Sequence, residues 1–203
     1  MIGIVDIGIG NAKSIYNALC FMGIPSSLIT KTELLANASK LILPGVGNFA
    51  NYMTVLRSSG YADAIYSKIT TTSTPLLGIC VGAQALLSQS LEGEGVAGLD
   101  LIKGEVVRIT QTLTQRAPNV GWRKIEYRKQ LFTNSRSNPI ERYYFSHNYQ
   151  MNVAENNIVA VVSENIEITT IVKKKNIIGV QFHPEKSNKF GLSFLKSFCE
   201  WVP

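Results

Sequence analysis

Cysteine and histidine are scarce in this 203-residue chain, which has three of the first and two of the second. Cys20, Cys80 and Cys199 are widely spaced, odd in number and without a C-x-x-C pair. That argues against a disulfide framework and against a zinc site, and no metal is expected. No apolar run approaches the roughly 18 residues that a membrane span needs. No basic stretch with an apolar leader opens the sequence either. Met1-Ile2-Gly3-Ile4-Val5-Asp6 enters a strand pattern at once, and the expected setting is the cytoplasm. Disordered composition is also missing, since 17% of residues are charged and 45% hydrophobic, enough for a real core. Neither a repeat nor a linker divides the chain, so residues 1–203 are expected to form one domain.

Acidic residues are the minority, 14 against 20 basic, for a net charge of +6. Nucleic acid is the first partner to test against such a balance. The basic residues fall in short clusters, Arg123-Lys124, Arg128-Lys129 and Lys173-Lys174-Lys175, without the interleaved aromatics of a single-strand platform. Lys173 to Lys175 stands between two apolar runs and reads as a hairpin turn. No nucleic-acid partner is expected; an anionic small substrate held by a partner protein accounts for a basic surface equally well.

In chain order, residues 2–6 read as a buried strand, 8–11 as a turn, and 12–22 as an amphipathic helix with Ile15, Ala18, Leu19 and Met22 inward. Gly8-x-Gly10 lacks the third glycine of a dinucleotide fingerprint, since Lys13 holds that place and no ribose-binding acid follows at the right distance. No nucleotide cofactor is expected. Residues 26–30 form a second strand and 32–35 open a short capped helix. The strand at 40–43 runs into Pro44-Gly45-Val46-Gly47, a loop with the exposed N–H groups that an oxyanion hole requires. Helices at 52–58 and 61–70 follow, and 91–98 is a glycine-rich loop. From Gly104 the pattern is strand-rich: 105–110, 122–127, 142–145, 158–163, 167–172 and 177–182. A closing helix over 188–201 carries Phe190, Phe194, Leu195 and Phe198 on one face. The first half is βαβα and the second is hairpins, which predicts one α/β domain with a mixed sheet.

The chemistry centres on residues 75–87. An apolar strand reaches Gly78-Ile79-Cys80-Val81-Gly82, and an Ala/Leu-rich run then resumes with helical spacing. G-x-C-x-G is the thiol version of the nucleophile elbow, with glycines on both sides because a Cβ would strike neighbouring backbone. The turn sets the sulfur at a helix N-terminus, which favours thiolate. At the other end of the chain, Gly179-Val180-Gln181-Phe182-His183-Pro184-Glu185 finishes the last strand. His183 and Glu185 are two apart and face the same way in extended backbone, which Pro184 is expected to maintain. Glu185 then fixes the imidazole tautomer, and the other ring nitrogen faces a thiol.

G-I-C-x-G-x-Q at Gly78 to Gln84, followed by G-V-Q-F-H-P-E-K-S at Gly179 to Ser187, resembles the class I (triad) glutamine amidotransferases. I-V-D-x-G-x-G-N from Ile4, L-P-G-V-G from Leu43, Gly121-Trp122 and Y-F-x-H from Tyr144 narrow the likeness. Within that family they resemble the glutaminase subunits, called HisH, of imidazole glycerol phosphate synthase. The likeness spans nearly the whole chain, at the length of a stand-alone glutaminase. It implies a flavodoxin-like α/β fold with an open, mixed, mostly parallel sheet flanked by helices. It also implies a glutaminase that works without cofactor and passes ammonia to a (β/α)8-barrel cyclase, HisF, in a heterodimer. Cys80 would attack L-glutamine, with Gly45, Val46, Gly47 and the Val81 N–H holding the oxyanion. His183 would be the acid and base, and Glu185 its orienter. Gln84 and Glu92 would hold the amino-acid end of the substrate, with Tyr144, Ser146 and His147 closing the pocket. Asn11, Trp122, Tyr144 and Lys186 would meet the partner.

The chain departs from the family pattern at Asn119, where a histidine is usual, and at Arg123, where an asparagine is. Val81 and Ala83 replace bulkier residues, and Gln150 follows Tyr149 where an arginine is common. The Cys/His/Glu set and the oxyanion loop are untouched. The departures fall near the expected partner face and put the acceptor in question, and three alternatives stand beside the main reading. One is a paralogous glutaminase serving the amidation of an acetamido sugar for surface polysaccharide. The second is an idle scaffold subunit. The third is a cysteine peptidase, which would need a peptide groove that the sequence gives no sign of.

Overall fold

The computed structural model describes residues 1–93, 95–110, 118–132, 141–163 and 166–203. Strands β1 (Ile2–Val5), β2 (Ser26–Ile29), β3 (Lys40–Gly45), β4 (Leu76–Cys80), β5 (Leu87–Ser90), β6 (Val96–Ala97) and β7 (Ile102–Arg108) belong to the first half. The second half supplies β8 (Asn119–Lys124), β9 (Glu126–Tyr127), β10 (Arg142–His147), β11 (Tyr149–Val153), β12 (Ile158–Val162), β13 (Ile168–Lys174) and β14 (Ile177–Val180). The helices are α1 (Ala12–Phe21), α2 (Phe49–Ser58), α3 (Tyr61–Thr72), α4 (Val81–Gln84) and α5 (Asn188–Glu200).

Every residue of β1, β4, β12 and β14 is buried, because a sheet covered on both faces needs apolar side chains in both directions. These strands join an eight-stranded sheet of order β2-β1-β3-β4-β14-β13-β12-β9. The five from β2 to β14 run parallel, and β13, β12 and β9 continue antiparallel. The fold is therefore α/β with a mixed, largely parallel sheet flanked by helices, as the sequence predicts. Helix α1 buries Ala12, Ile15 and Leu19, and α5 buries Gly191, Phe194, Leu195 and Phe198; α1 packs on α5, and α2 on α3. Ala18, Met22 and Phe190 reach the core only in part. Among the described residues no helix is long and apolar enough to cross a membrane.

Lys175 adopts φ 53 in the tight turn between β13 and β14, but Lys173 and Lys174 are the last residues of β13, paired with Ile178 and Ile177, so the turn is shorter than the lysine run. Two further expectations need correction. The helix after Cys80 is a single turn, and Leu87 already begins β5, which pairs with β7 and β6. Leu86, in the turn after α4, and Leu87, the first residue of β5, are both fully buried. Residues Tyr149–Val153 form β11 on β7, giving a second sheet of order β11-β7-β5-β6. The capped helix at residue 32 is a 3₁₀ turn, Thr32–Asn37, without a side-chain cap. Within the glycine-rich loop, Val96–Ala97 forms β6, and Glu94 lies outside the described residues. A separate two-stranded ribbon, β8 with β10, places Trp122 opposite Tyr144.

Candidate active site

β4 ends on Cys80, whose φ of 54° and ψ of −115° are costly for a residue with a Cβ. Such strain persists only where the surroundings enforce it, and here the enforcement is close backbone packing. Cys80 pairs with Gly45 at the end of β3. A Cβ on Gly45 would stand 2.3 Å from Gly82 N, and one on Gly82 would stand 1.9 Å from Leu43 O. A Cβ on Gly78 would meet Ala83 Cα at 2.7 Å. The elbow thus presses against the strand that leads into the Pro44-Gly45-Val46-Gly47 loop. The buried Tyr52 hydroxyl donates to Pro44 O at 2.9 Å and pins that loop's base.

β14 lies beside β4 in register, Val180 opposite Ile79, so the chain beyond Val180 arrives at the same rim as Cys80. His183 and Cys80 are both almost fully buried. His183 Nδ1 bonds Glu185 Oε1 at 2.9 Å. Burial alone would lower the His183 pKa. Its hydrogen bonds to Cys80 and Glu185, and the charges of both, outweigh burial and raise it to about 9. The arrangement therefore favours a proton on the imidazole beside the sulfur.

The backbone that presents Glu185 is not extended. Pro184–Lys186 is a 3₁₀ turn with Pro184 at its start, the position where a ring that fixes φ and lacks N–H fits best. Glu185 still reaches the imidazole, because the turn folds it back toward His183. Ser187 and β10 tie this segment down. His183 N–H donates to Tyr144 O at 2.9 Å, Tyr144 N–H donates to Ser187 Oγ at 3.0 Å, and Ser187 Oγ donates to His183 O at 2.6 Å.

A cleft of 290 Å³ opens over the sulfur. Of the residues expected there, Val46, Gly47, Cys80, Val81, Gln84, Glu92, Ser146, His147 and His183 line it, and Lys186, expected at the partner face, lines it too. Glu92 Oε2 accepts the Phe49 N–H at 2.9 Å, at the positive end of α2. His147 is held as a neutral ring. Its Nδ1–H donates to Tyr149 O at 2.7 Å and its Nε2 lies 2.8 Å from Asn119 Nδ2. Burial pushes its pKa down to about 4, the bond to Tyr149 opposes the shift, and the nearby His183 adds to it.

Other expected residues stand elsewhere. Gly45 lies beneath the cleft against Gly82. Tyr144 is outside it, edge-on to Trp122 with ring centroids 6.1 Å apart and with Lys186 Nζ 5.9 Å over its ring. Trp122 and Val120 are exposed. Asn11 turns inward, and its amide donates to Glu185 Oε1. The departure at Asn119 is also internal, since that residue is buried against His147 and off the outer face of the ribbon. Sequence reasoning missed Tyr52, Asn148, Tyr149 and Gln181. Gln181 had a signal, because it precedes His183 by two residues. A larger hollow of 570 Å³ beside Lys173 and Trp201 lies at the opposite ends of the strands, near Ser73 and Asn176. Ligands of open α/β sheets bind at the carboxyl ends, where Cys80 is.

Residues 3–200 match the family model described as glutamine amidotransferase class-I. A relative from Methanococcus maripaludis, imidazole glycerol phosphate synthase subunit HisH 2, is 38% identical and covers 98% of this chain and 99% of its own. The HisH subunit of Geobacillus thermodenitrificans is 37% identical over 98% of this chain and 94% of its own. Among solved structures, PurLQS from Thermotoga maritima superposes with a TM-score of 0.76 over the whole of this chain and 98% of the other, at 19% identity, a likeness of fold. With a strained cysteine and a carboxylate-bound histidine on one rim, and with matches over nearly its full length, the chain belongs to the class-I glutamine amidotransferases and is closely related to their HisH subunits.

Proposed function

We propose that residues 1–203 form one glutaminase domain that hydrolyses L-glutamine to glutamate and ammonia with Cys80, His183 and Glu185 as its triad. The observation that carries the reading is the meeting of Cys80, at the end of β4, with His183, just past the end of β14, over the mouth of the 290 Å³ cleft. The Cys80 thiolate attacks the side-chain carboxamide carbon. The resulting oxyanion takes hydrogen bonds from the Val81 N–H and the Gly45-Val46-Gly47 loop. His183 gives its proton to the nitrogen, the C–N bond breaks, and ammonia leaves a thioester. His183 then takes a proton from water, the hydroxide attacks, and glutamate departs as the C–S bond breaks. Glu185 keeps the ring in the tautomer that both steps need. Gln84 and Glu92 receive the substrate's amino-acid end beside Ser146 and His147.

Ammonia set free in water is mostly protonated and no longer a nucleophile, so the reading includes a shielded route to a second active site. The names of the curated relatives support a HisF-type (β/α)8 cyclase as the acceptor, in a cytoplasmic heterodimer that forms imidazole glycerol phosphate and AICAR in histidine biosynthesis. The inward orientation of Asn119 supports it further, because the departure from the family pattern there leaves the outer face unchanged. Trp122, Tyr144 and Lys186 form the docking side. The loop from Pro44 to Gly47 reorients when the partner is loaded, so glutaminase activity depends on the partner.

The test is ammonia transfer from glutamine, with a HisF-type subunit and with an acetamido-sugar amidating subunit in parallel. Turnover with the first, its loss in Cys80→Ala, and slow hydrolysis by the free chain are expected. Transfer only to the sugar enzyme refutes the acceptor, and turnover by Cys80→Ala refutes the nucleophile.

A further inference from the structure

The Cys80 sulfur has a neighbour beyond His183. Gln181 is fully buried, and its Nε2 donates to Cys80 Sγ at 3.7 Å. The other end of its amide is held as well: Gln84 Nε2 donates to Gln181 Oε1 at 3.0 Å and to Tyr149 O at 3.2 Å. The oxygen and nitrogen of an amide are distinguished by their partners. Here the Tyr149 carbonyl decides both amides, because a main-chain carbonyl only accepts. Gln84 must turn its NH₂ toward that carbonyl. The second hydrogen of the same NH₂ then needs an acceptor, and Gln181 Oε1 is the one in place. Only one orientation is left to Gln181, with its NH₂ on the sulfur.

We propose that Gln181 is a further catalytic residue, whose amide holds the Cys80 thiolate by a donated hydrogen bond and is itself held by Gln84. Thiol sulfur is a weak acceptor and an ionised acceptor a strong one, so a donor fixed on the sulfur favours the charged form. The need for such a donor follows from the fold. Helix α4 has four residues, and a single turn brings little of the positive end that a long helix would offer. The imidazole serves the sulfur only while it keeps its proton, which it surrenders when ammonia departs. The Gln181 amide surrenders none. It therefore supports the sulfur at both moments when the atom carries charge, as attacking thiolate and as the group released from the thioester.

The inference rests on the glutaminase reading for what the thiolate does, but its test needs no glutamine. Cys80 alkylation by iodoacetamide is followed against pH in the full chain carrying Cys20→Ser and Cys199→Ser. Gln181→Met, which removes the donor, is expected to move the alkylation midpoint up by about one pH unit, a roughly tenfold slower reaction at pH 6. Gln181→Glu, which turns an oxygen toward the sulfur, moves it further. Gln84→Met, which frees the Gln181 amide to rotate, gives a smaller shift in the same direction. The plateau rate at high pH stays within about twofold of the parent. A role in packing alone would lower thermal stability and leave the midpoint in place, and an unmoved midpoint in a folded variant overturns the proposal. If Gln181→Met does not fold, the isosteric Gln181→Glu carries the same test. Absence of glutamine turnover in the parent complex bears on the glutaminase reading alone.

Discussion

Replacing Gly82 with alanine probes the contact on which the elbow depends. The added Cβ would lie 1.9 Å from Leu43 O, 2.9 Å from Leu43 C and 3.2 Å from Gly45 N. Carbon and oxygen need about 3.3 Å, so the elbow and β3 must part by roughly 1.4 Å. No side chain can rotate out of the way, because the atoms struck are main chain. Leu43 and Gly45 are paired with Gly78 and Cys80, so moving β3 also disturbs the ladder between β3 and β4. Overpacking of this kind costs about 1–3 kcal/mol, and rigid backbone on both sides puts Gly82→Ala near ~3. For a chain of this length that lowers Tm by roughly 6–12 °C. The Gly45 to Gly47 loop moves with β3, and a displacement of about 1 Å at a reacting centre costs on the order of a hundredfold in rate. Thermal unfolding followed by circular dichroism, together with glutamate release in the presence of the acceptor subunit, measures both effects. Gly23→Ala is the control: its φ is +68° and nothing lies within 4 Å of the added atom. It should cost about 1 kcal/mol of backbone strain and leave glutamate release unchanged. A Gly82→Ala protein with parental Tm and parental rate would refute the close-packed elbow.

Cys80→Ala and Cys80→Gly should both abolish glutamate release, and the glycine variant should be the more stable by about 1 kcal/mol, since φ 54° suits glycine; equal urea midpoints would count against strain at the elbow. His147 titrates at about 4 in the fold against an ordinary 6.5, so the unfolded chain binds the proton first as pH falls. Its contribution leaves stability unchanged above pH ~6.5 and removes up to ~1.4 kcal/mol per unit between there and pH ~4. His147→Gln should fall less steeply than the parent in urea titrations across that window, and parallel curves would show that the ring titrates normally. Lys40 Nζ donates to Phe198 O, Cys199 O and Trp201 O at the end of α5. Lys40→Met should therefore destabilise the protein by ~1–3 kcal/mol and release the C-terminal turn to hydrogen exchange.

Strands β1, β4 and β14 were legible because each is a short, unbroken apolar run. The elbow was legible because glycines on both sides of a cysteine have few other uses. β5 was not, since Leu86-Leu87-Ser88-Gln89-Ser90 suits a helix as well as a strand, and its fate depends on β7 and β6, which arrive later in the chain. β11 hid for a similar reason: only Met151 is buried, so the alternation is faint. The direction taken by Asn11 could not be read at all. A loop asparagine at a sheet edge can face a partner or the interior, and its choice of Glu185 depends on a residue 174 positions away. Gln181 was legible in principle, one strand period before His183, but a glutamine amid apolar neighbours attracts attention only when the sulfur beside it is known.

The ribbon of β8 and β10 is riveted to the backbone of His183 through β10, while Val120 and Trp122 stand exposed on β8. Tyr144 grips the main chain of His183 directly and through Ser187, while its ring and that of Trp122 face outward. A lever of this shape transmits whatever is done to its outer arm. On the proposed reading, pressure on the tryptophan side displaces His183, and the ribbon's surface and the proton donor form one mechanical part.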